Sequence, residues 1–320
     1  MPKLGKKMKY IYSIISIVFL FFSTVEGYEL VPIPTDIKVN KPKVRLGKKL
    51  FIDPILSKNK NISCLSCHNL KTNGADTVAY TKGNNGQKAQ FNTPTVYNAV
   101  YNFRQFWDGR SKNLKSQALA PIENPREMGN TVKQVLKDLK ANPAYVRAFH
   151  AIYKEGISRE TLADALAEFG KTLITPHSQF DKYLRGDKNA LSKKAIRGYK
   201  LFKDKGCISC HNGINIGGNL YNKFGIYADT KSKELGRYMI TKNEEDKFVF
   251  KVPSLRNVAL TAPYMHDGRA SSLKEAINIM SRHQLGRPMM PDELSSIIAF
   301  LESLTGQLPQ IVKDIHVLSK

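Results

Sequence analysis

Two short stretches of the sequence, ISCLSCHN at residues 62–69 and GCISCHNG at residues 206–213, contain all four cysteines of the 320-residue chain. In both, two cysteines are separated by two residues and followed at once by a histidine. The residues of the two copies are Cys64, Cys67, His68, Cys207, Cys210 and His211. A disulfide, a redox-active dithiol or half of a zinc site could use such a cysteine pair, but the histidine after each pair favours a different chemistry.

The repeated motif C-x-x-C-H is the sequence signature of covalent haem c attachment. The two cysteines can form thioethers with the vinyl groups of a porphyrin, and the adjacent histidine can reach the iron as an axial ligand. One such pentapeptide could arise by chance, whereas two copies that use every cysteine of the chain are a specific signal. We therefore predict two covalently bound haem c groups.

The N-terminus has the pattern of an export signal. Four lysines within residues 3–9 precede the apolar run Tyr10–Phe22, and small and polar residues follow up to Gly27. A charged segment, a short apolar segment and a cleavage zone are typical of a signal peptide, which we place at residues 1–27. The alternative is an N-terminal membrane anchor, although the run is shorter than the roughly 20 residues of a typical span. Both interpretations place the rest of the chain in the periplasm.

The chain also contains an internal repeat. The segment TPTVYNAVYNFRQFWDGRSKNL (93–114) aligns without a gap with VPSLRNVALTAPYMHDGRASSL (252–273), and LGKKLFID (46–53) corresponds to RGYKLFKD (197–204). Self-similarity of this kind indicates duplication. We predict an N-terminal haem c domain at residues 28–180 and a C-terminal haem c domain at residues 181–320, each of ordinary domain size.

The apolar periodicity predicts a mostly α-helical fold of two cytochrome c-like domains with long loops. Helical spacing runs from Val132 to Leu139, from Leu162 to Leu173, and from Pro291 towards Gly306. Residues 70–92 and 212–250 are rich in Gly, Asn and Lys, and we predict that they are long loops around the cofactors.

The formal net charge of the chain is +23. A basic surface can steer acidic partners or anionic membranes towards the protein. The alternative is a lysine-rich and asparagine-rich composition with solvated faces. No dense basic run follows the N-terminal segment, and an exported haem protein is not expected to bind nucleic acid.

The sixth iron position decides whether a haem only transfers electrons or also reacts with small molecules. In the second half, Met280 follows the repeated block on the apolar face of a predicted helix, so it is either an iron ligand or a core residue. The corresponding segment of the first half, LKSQALAPIENPREMGN (114–130), has the polar residues Gln117, Glu123 and Glu127, with Met128 as a weaker ligand candidate. The halves have diverged here, which indicates divided roles.

The motifs QFWDGR (105–110) and FKVPSLRNVALTAPYMHDG (250–268), together with the two C-x-x-C-H sites, resemble the bacterial dihaem cytochrome c peroxidases. The resemblance runs from about Lys43 to Leu304, and its superfamily includes dihaem enzymes that mature quinone cofactors. It implies that the N-terminal haem reduces hydrogen peroxide. It further implies that the C-terminal haem receives electrons from a small cytochrome c or a cupredoxin, and that the protein is a homodimer.

The resemblance also implies roles for single residues. Met280 takes the position of the family's methionine ligand, where the cofactor-maturation enzymes have tyrosine. Gln117 and Glu127 match the family's distal glutamine and glutamate, with Glu127 as the general acid/base. Trp107, the only tryptophan of the chain, matches the tryptophan between the haems, and plain core packing is its alternative role.

A calcium ion between the haems is a further implication. The family's calcium site falls on Asn92, Thr261 and Pro263, the last two through backbone carbonyls, and such oxygen ligation suits a hard cation. His266 aligns with Trp107 in the internal repeat, and we expect it to anchor a haem propionate.

One position departs from the family. Members commonly have a histidine in the loop before N-x-P-T, and it caps the peroxidatic iron in the oxidised resting state. Here the loop reads TKGNNGQKAQFNTPT (81–95), the matching residue is Asn84, and no histidine occurs between His68 and His150. Asparagine is a poor iron ligand, so we predict that the first haem is open at rest.

The predicted reaction is the reduction of hydrogen peroxide to two waters with two electrons from a donor protein. Two alternatives are open from the sequence. One is a dihaem electron carrier in which protein ligands close both irons, and the other is a dihaem oxidase that acts on protein side chains.

Overall fold

The structure is a computed structural model that describes residues 29–313 and residue 315. Within these residues the fold is mostly helical, as predicted, and has one antiparallel sheet of two strands. The helices are α1 (Lys41–Ile52), α2 (Leu114–Glu123), α3 (Val132–Lys140), α4 (Pro143–His150), α5 (Arg159–Lys171), α6 (Gln179–Leu184), α7 (Lys193–Asp204), α8 (Tyr238–Thr241), α9 (Leu273–Gln284) and α10 (Pro291–Glu302). The strands are β1 (Tyr221–Lys223) and β2 (Val249–Lys251).

The predicted signal peptide at residues 1–27 lies outside the described residues. In the part of the chain that the structure describes, none of the helices has the length and apolar character needed to span a bilayer.

Both halves are built on the crossing of two helices at a glycine. Gly47 in α1 lies so close to α5 that an added Cβ would overlap the carbonyl oxygen of Ala165. Gly198 in α7 meets the carbonyl oxygen of Ser296 in α10 in the same way. Glycine is needed at both crossings because the two backbones touch there. The recurrence agrees with the duplication that the sequence indicates.

Two hydrophobic cores lie on either side of the duplication. The first packs α1 to α5, and the second packs α6, α7, α9 and α10. The ends of the described chain cross over, because Leu30 joins the second core whereas Val312 and Ile315 join the first. Phe180 also belongs to the second core. The division into residues 28–180 and 181–320 stays a prediction. The packing shows in addition that each end of the described chain contributes to the core of the other half.

Apolar spacing located the predicted helices correctly, as α3, α5 and α10. The predicted loop at residues 212–250 is more ordered than expected, since it contains β1, α8 and β2. Phe250 pairs with Asn222 in the sheet and is buried, and the main-chain nitrogen of Phe224 donates to the carbonyl of Phe248 at 2.8 Å. Strand pairing satisfies the backbone groups that this part of the chain buries.

Equivalent residues of the repeat meet where the halves join. The side-chain amides of Asn98 and Asn257 both donate to the hydroxyl oxygen of Thr175, each at 2.8 Å. Both asparagines have a left-handed backbone, with φ of 59° and 61°. Thr175 therefore connects the equivalent asparagines of the two halves through one hydroxyl group.

Candidate active site

A cavity that is partly open to solvent lies beside the first cysteine pair. Its volume is about 190 Å³. The predicted site residues that line it are Cys64, Cys67, His68, Asn92, Trp107, Gln117, Glu127 and Met128.

His68 has the tautomer that an iron ligand needs. Its Nδ1 lies 3.0 Å from the carbonyl oxygen of Gly74, and since a carbonyl can only accept, Nδ1 carries the proton. This leaves Nε2 unprotonated and available to a metal. Burial lowers the pKa of His68 and keeps the imidazole neutral.

The two cysteine pairs do not have the acidity that is typical of redox-active thiols. No disulfide joins any two of them, and all four lie among the described residues. Burial raises the pKa of Cys64 to about 12 and that of Cys207 to about 11, whereas reactive redox thiols have depressed pKa values. Over residues 29–313 and 315, no three His, Cys, Asp or Glu side chains converge where they could hold a metal ion such as zinc.

The second motif provides another buried imidazole. His211 has its pKa lowered to about 4 by burial, an effect opposed by the nearby carbonyls of Ile216 and Pro253. Neither carbonyl is placed for a well-formed hydrogen bond, so the buried Nδ1 of His211 has no partner within the described chain. The amide nitrogen of Asn222 in β1 contacts Cys210 Sγ at 3.0 Å. A neutral histidine beside two partly buried thiol groups fits a second haem c.

Glu127 provides an ionisable group in the first cavity. It follows a turn in which Asn124 Nδ2 donates to Glu127 Oε1 at 2.6 Å. Burial raises the pKa of Glu127, and the hydrogen bond from Asn124 and the charge of Arg110 oppose that rise. The carboxyl group is thereby better matched to proton transfer near neutral pH than an exposed glutamate. Gln117 reaches the same cavity from α2.

The loop that contains Asn84 lies against this glutamate. The main-chain nitrogen of Asn84 donates to the carbonyl of Glu127 at 2.7 Å. Its side chain accepts from the main chain of Asn59 and donates to Asn85, and Gly83, not Asn84, borders the cavity. A Cβ at Gly83 would overlap the carbonyl oxygen of Arg126, so the loop can approach this closely only with glycine there.

An aromatic cluster connects the first cavity to the second domain. Its buried residues are Phe91, Phe224 and Phe250, against which Trp107 and Met280 pack, among others. Trp107 lines the first cavity, and its Nε1 donates to the carbonyl of Asn92 at 2.9 Å. The structure thus brings Trp107 and Met280 to one cluster, although they are far apart in the sequence. Met128 instead lies in the first core.

The residues of the predicted calcium site lie in two segments that meet. The amide nitrogen of Asn92 donates to the carbonyls of Val78 and Ala79, which leaves Oδ1 as a possible ligand. The main-chain nitrogen of Asn92 donates to the carbonyl of His266 at 2.7 Å, a few residues beyond Thr261 and Pro263. The calcium ion itself stays a prediction.

His266 is buried beside Trp107. It stacks on Phe250 at a centroid distance of 4.2 Å, and its Nε2 lies 2.8 Å from the hydroxyl of Ser232. Burial lowers the pKa of His266 to about 4, so the imidazole is neutral. Its expected role as a propionate anchor stays a prediction.

Arg110 and Asn124 also line the first cavity, although no sequence motif indicates that they belong to a site. Arg110 forms a salt bridge with Asp108 at 2.8 Å, and its guanidinium lies 3.5 Å from the centre of the Phe106 ring. The duplicated Asp-Gly-Arg sequence marked Arg110 as part of a repeat but did not indicate a site.

Comparisons with known proteins identify the family of the chain. The family model for di-haem cytochrome c peroxidase matches residues 41–189, and the model for cytochrome c matches residues 195–305. Each half therefore matches a haem protein family, and the chain binds two haem c groups.

Similar proteins extend over most of the chain. It is 46% identical over 281 residues to the cytochrome c551 peroxidase of Nitrosomonas europaea, with 87% of this chain and 84% of that protein covered. Identity to the cytochrome c551 peroxidase of Pseudomonas aeruginosa is 44%, with 85% and 81% covered. A MauG-like protein associated with microbial copper homeostasis has a similar structure, with a TM-score of 0.76, 27% identity and coverage of 90% and 96%. The chain belongs to the dihaem cytochrome c peroxidase family.

Proposed function

We propose that this protein reduces hydrogen peroxide at its first haem site with electrons that enter at its second. The reaction consumes H₂O₂, two electrons and two protons and yields two waters. The main support is that Glu127, a carboxyl group with a raised pKa, lies in the same cavity as the first C-x-x-C-H motif. The cytochrome c551 peroxidases that the chain resembles support the same substrate class.

The proposed residues divide the chemistry between holding the cofactor and moving protons. Cys64 and Cys67 hold the first haem, and His68 binds its iron through Nε2. When bound, the haem supplies the iron that accepts peroxide and electrons. Glu127 takes a proton from one oxygen of H₂O₂ and delivers it to the other, which leaves as water when the O–O bond breaks. The remaining oxygen becomes the second water with the two electrons and two protons. Gln117 orients the peroxide by hydrogen bonding.

The second site is proposed to receive the electrons. Cys207, Cys210 and His211 would hold the second haem, and Met280 would supply its iron with a thioether ligand, which favours the ferrous state. Trp107 then lies between the two sites, in contact with the aromatic cluster. The donor is a small cytochrome c or a cupredoxin, and the protein is proposed to be a homodimer.

The location is proposed from the N-terminal segment. Residues 1–27 act as a signal peptide, or as an N-terminal anchor, and the protein functions in the periplasm. Covalent haem attachment and a small redox partner both suit an exported protein.

The test is to mix the holoprotein with reduced cytochrome c and hydrogen peroxide and to follow the cytochrome optically. Oxidation of two cytochromes per peroxide supports the proposal. Stable reduced cytochrome, with both irons closed by protein ligands, would instead identify an electron carrier. Oxidation of side chains in an added protein would identify a side-chain oxidase.

Oxidised protein that has not been reduced before the assay is expected to turn over peroxide without a lag. The reason is Asn84, which cannot cap the iron as a histidine would and whose side chain bonds to Asn59 and Asn85. Progress curves of untreated and pre-reduced samples should coincide from the first mixing. An electron paramagnetic resonance spectrum of the oxidised protein is the control, and a low-spin bis-histidine signal from the first haem would contradict this expectation.

Removal of calcium is expected to destabilise the protein. Calcium takes six to eight oxygen ligands, and at a free concentration of about 100 times its Kd a site stabilises the fold by about 2.7 kcal/mol. Thermal unfolding in a chelator should therefore begin at lower temperature than in excess Ca²⁺. The variant Asn92→Ala should lose this dependence, and identical unfolding of the unaltered protein with and without Ca²⁺ would rule the site out.

A further inference from the structure

Lys251 is a buried cation that has no role in the peroxide site described above. It is the last residue of β2, and only 7% of its surface is exposed. Within the described residues, its ammonium group forms no salt bridge and no hydrogen bond, and burial lowers its pKa to about 8. A largely buried charge without a protein partner is costly, so an anion that reaches the ammonium group would stabilise it.

The internal repeat identifies the surroundings of this residue. Lys251 aligns with Asn92, and His266 aligns with Trp107. The main-chain nitrogen of Asn92 donates to the carbonyl of His266, and that of Lys251 donates to the carbonyl of Trp107, both at 2.7 Å. Equivalent residues thus make equivalent contacts across the interface of the two halves, and Lys251 has the same place in its half as Asn92 has in the other.

Asn92 lies in the cavity beside the first cysteine pair. Asn92 and Trp107 both line the cavity that contains Cys64 and His68. The correspondence of the halves predicts that Lys251 and His266 border the haem held at the second motif. An ammonium group would then lie at the edge of the second site, at the position that has a neutral amide in the first.

We propose that the ammonium group of Lys251 binds a propionate carboxylate of the second haem. The inference rests on the proposed attachment of that haem at Cys207, Cys210 and His211. Haem has two propionate carboxylates, and a buried ammonium can hold one through a charge-assisted hydrogen bond.

The same charge affects the iron. Ferric iron has one positive charge more than ferrous iron, so a nearby ammonium group disfavours the ferric state. Lys251 thus raises the reduction potential of the second haem. A higher potential at the second haem favours the entry of electrons there.

The experiment is an equilibrium redox titration of the holoprotein, followed by optical spectra that distinguish the two haems. In Lys251→Met, the ratio of reduced to oxidised second haem at a fixed potential should fall about tenfold, which corresponds to about 59 mV. Lys251→Arg retains the charge and should retain the original potential. The matched control is Lys223→Met, which alters an exposed lysine of β1 and should shift neither haem.

An unchanged second potential in a Lys251→Met protein with both haems would overturn the inference, as would a shift confined to the first haem. If the methionine variant does not retain its second haem, Lys251→Gln provides the same comparison with a polar side chain, and an unaltered second potential there has the same consequence. Failure of the proposed attachment is distinguishable, because the unaltered chain would then retain only one covalent haem after denaturation.

Discussion

Glu127→Gln is expected to lose peroxide turnover by about 10²–10⁴-fold, the usual contribution of general acid/base catalysis. Glutamine has the size of glutamate and can still hydrogen-bond Asn124, which now donates to Glu127 Oε1 at 2.6 Å. It cannot take a proton from one peroxide oxygen and deliver it to the other. Steady-state turnover of the holoprotein with reduced cytochrome c measures the loss, while optical spectra of both haems should stay unchanged.

The pH dependence provides a second readout for Glu127. As the base that first accepts a proton, the carboxyl group must start ionised, so turnover falls as the pH falls through its pKa. Because burial raises that pKa, the fall should begin at a higher pH than for an exposed glutamate. The glutamine variant should lack this acidic limb in its residual activity.

The matched control is Glu123→Gln, at the end of α2, where the carboxylate is about half exposed and pairs with Arg159 at 3.6 Å. It should retain turnover and the acidic limb. Turnover of the unaltered protein in Glu127→Gln would refute the proposed role.

Asp181→Ala is expected to lower the free energy of unfolding by about 3–5 kcal/mol, the usual cost of removing one partner from a buried ion pair. Asp181 and Arg256 are 0% and 1% exposed, and Asp181 Oδ1 accepts from Arg256 Nη1 at 2.7 Å. The same oxygen accepts from the main chain of Ile33, and Arg256 Nη2 donates to the carbonyl of Val31. The pair therefore anchors the N-terminal strap, residues 29–33, to the second domain.

Denaturant unfolding of the holoprotein, followed by tyrosine and tryptophan fluorescence, measures this cost. The control is Asp292→Ala, whose partner Arg197 is more than half exposed, so the loss should be about 1 kcal/mol or less. If both variants lose the same small amount, the buried pair has no special role in stability.

Much of the fold follows from local patterns. The C-x-x-C-H motifs locate both cysteine pairs and their histidines without reference to any distant residue. Likewise, α3 and α10 follow from apolar spacing that repeats every turn. The duplication can be detected in the sequence because both halves need the same residue at equivalent positions. Gly47 and Gly198, for example, both lie where two helices cross without room for a side chain.

Other properties depend on contacts between distant segments, which no local pattern specifies. The raised pKa of Glu127, for example, comes from burial. Met280 and Trp107 meet at one cluster because the two domains pack together.

Packing between distant segments also causes each chain end to join the core of the other half. It likewise produces the reciprocal contacts of Asn92 and Lys251. A short motif can define the chemistry of a ligand set, because bonding to a cofactor needs only a few neighbouring atoms. Charge, proton affinity and the relation between the two sites depend on solvent exclusion and long-range packing, which exist only once the chain has folded.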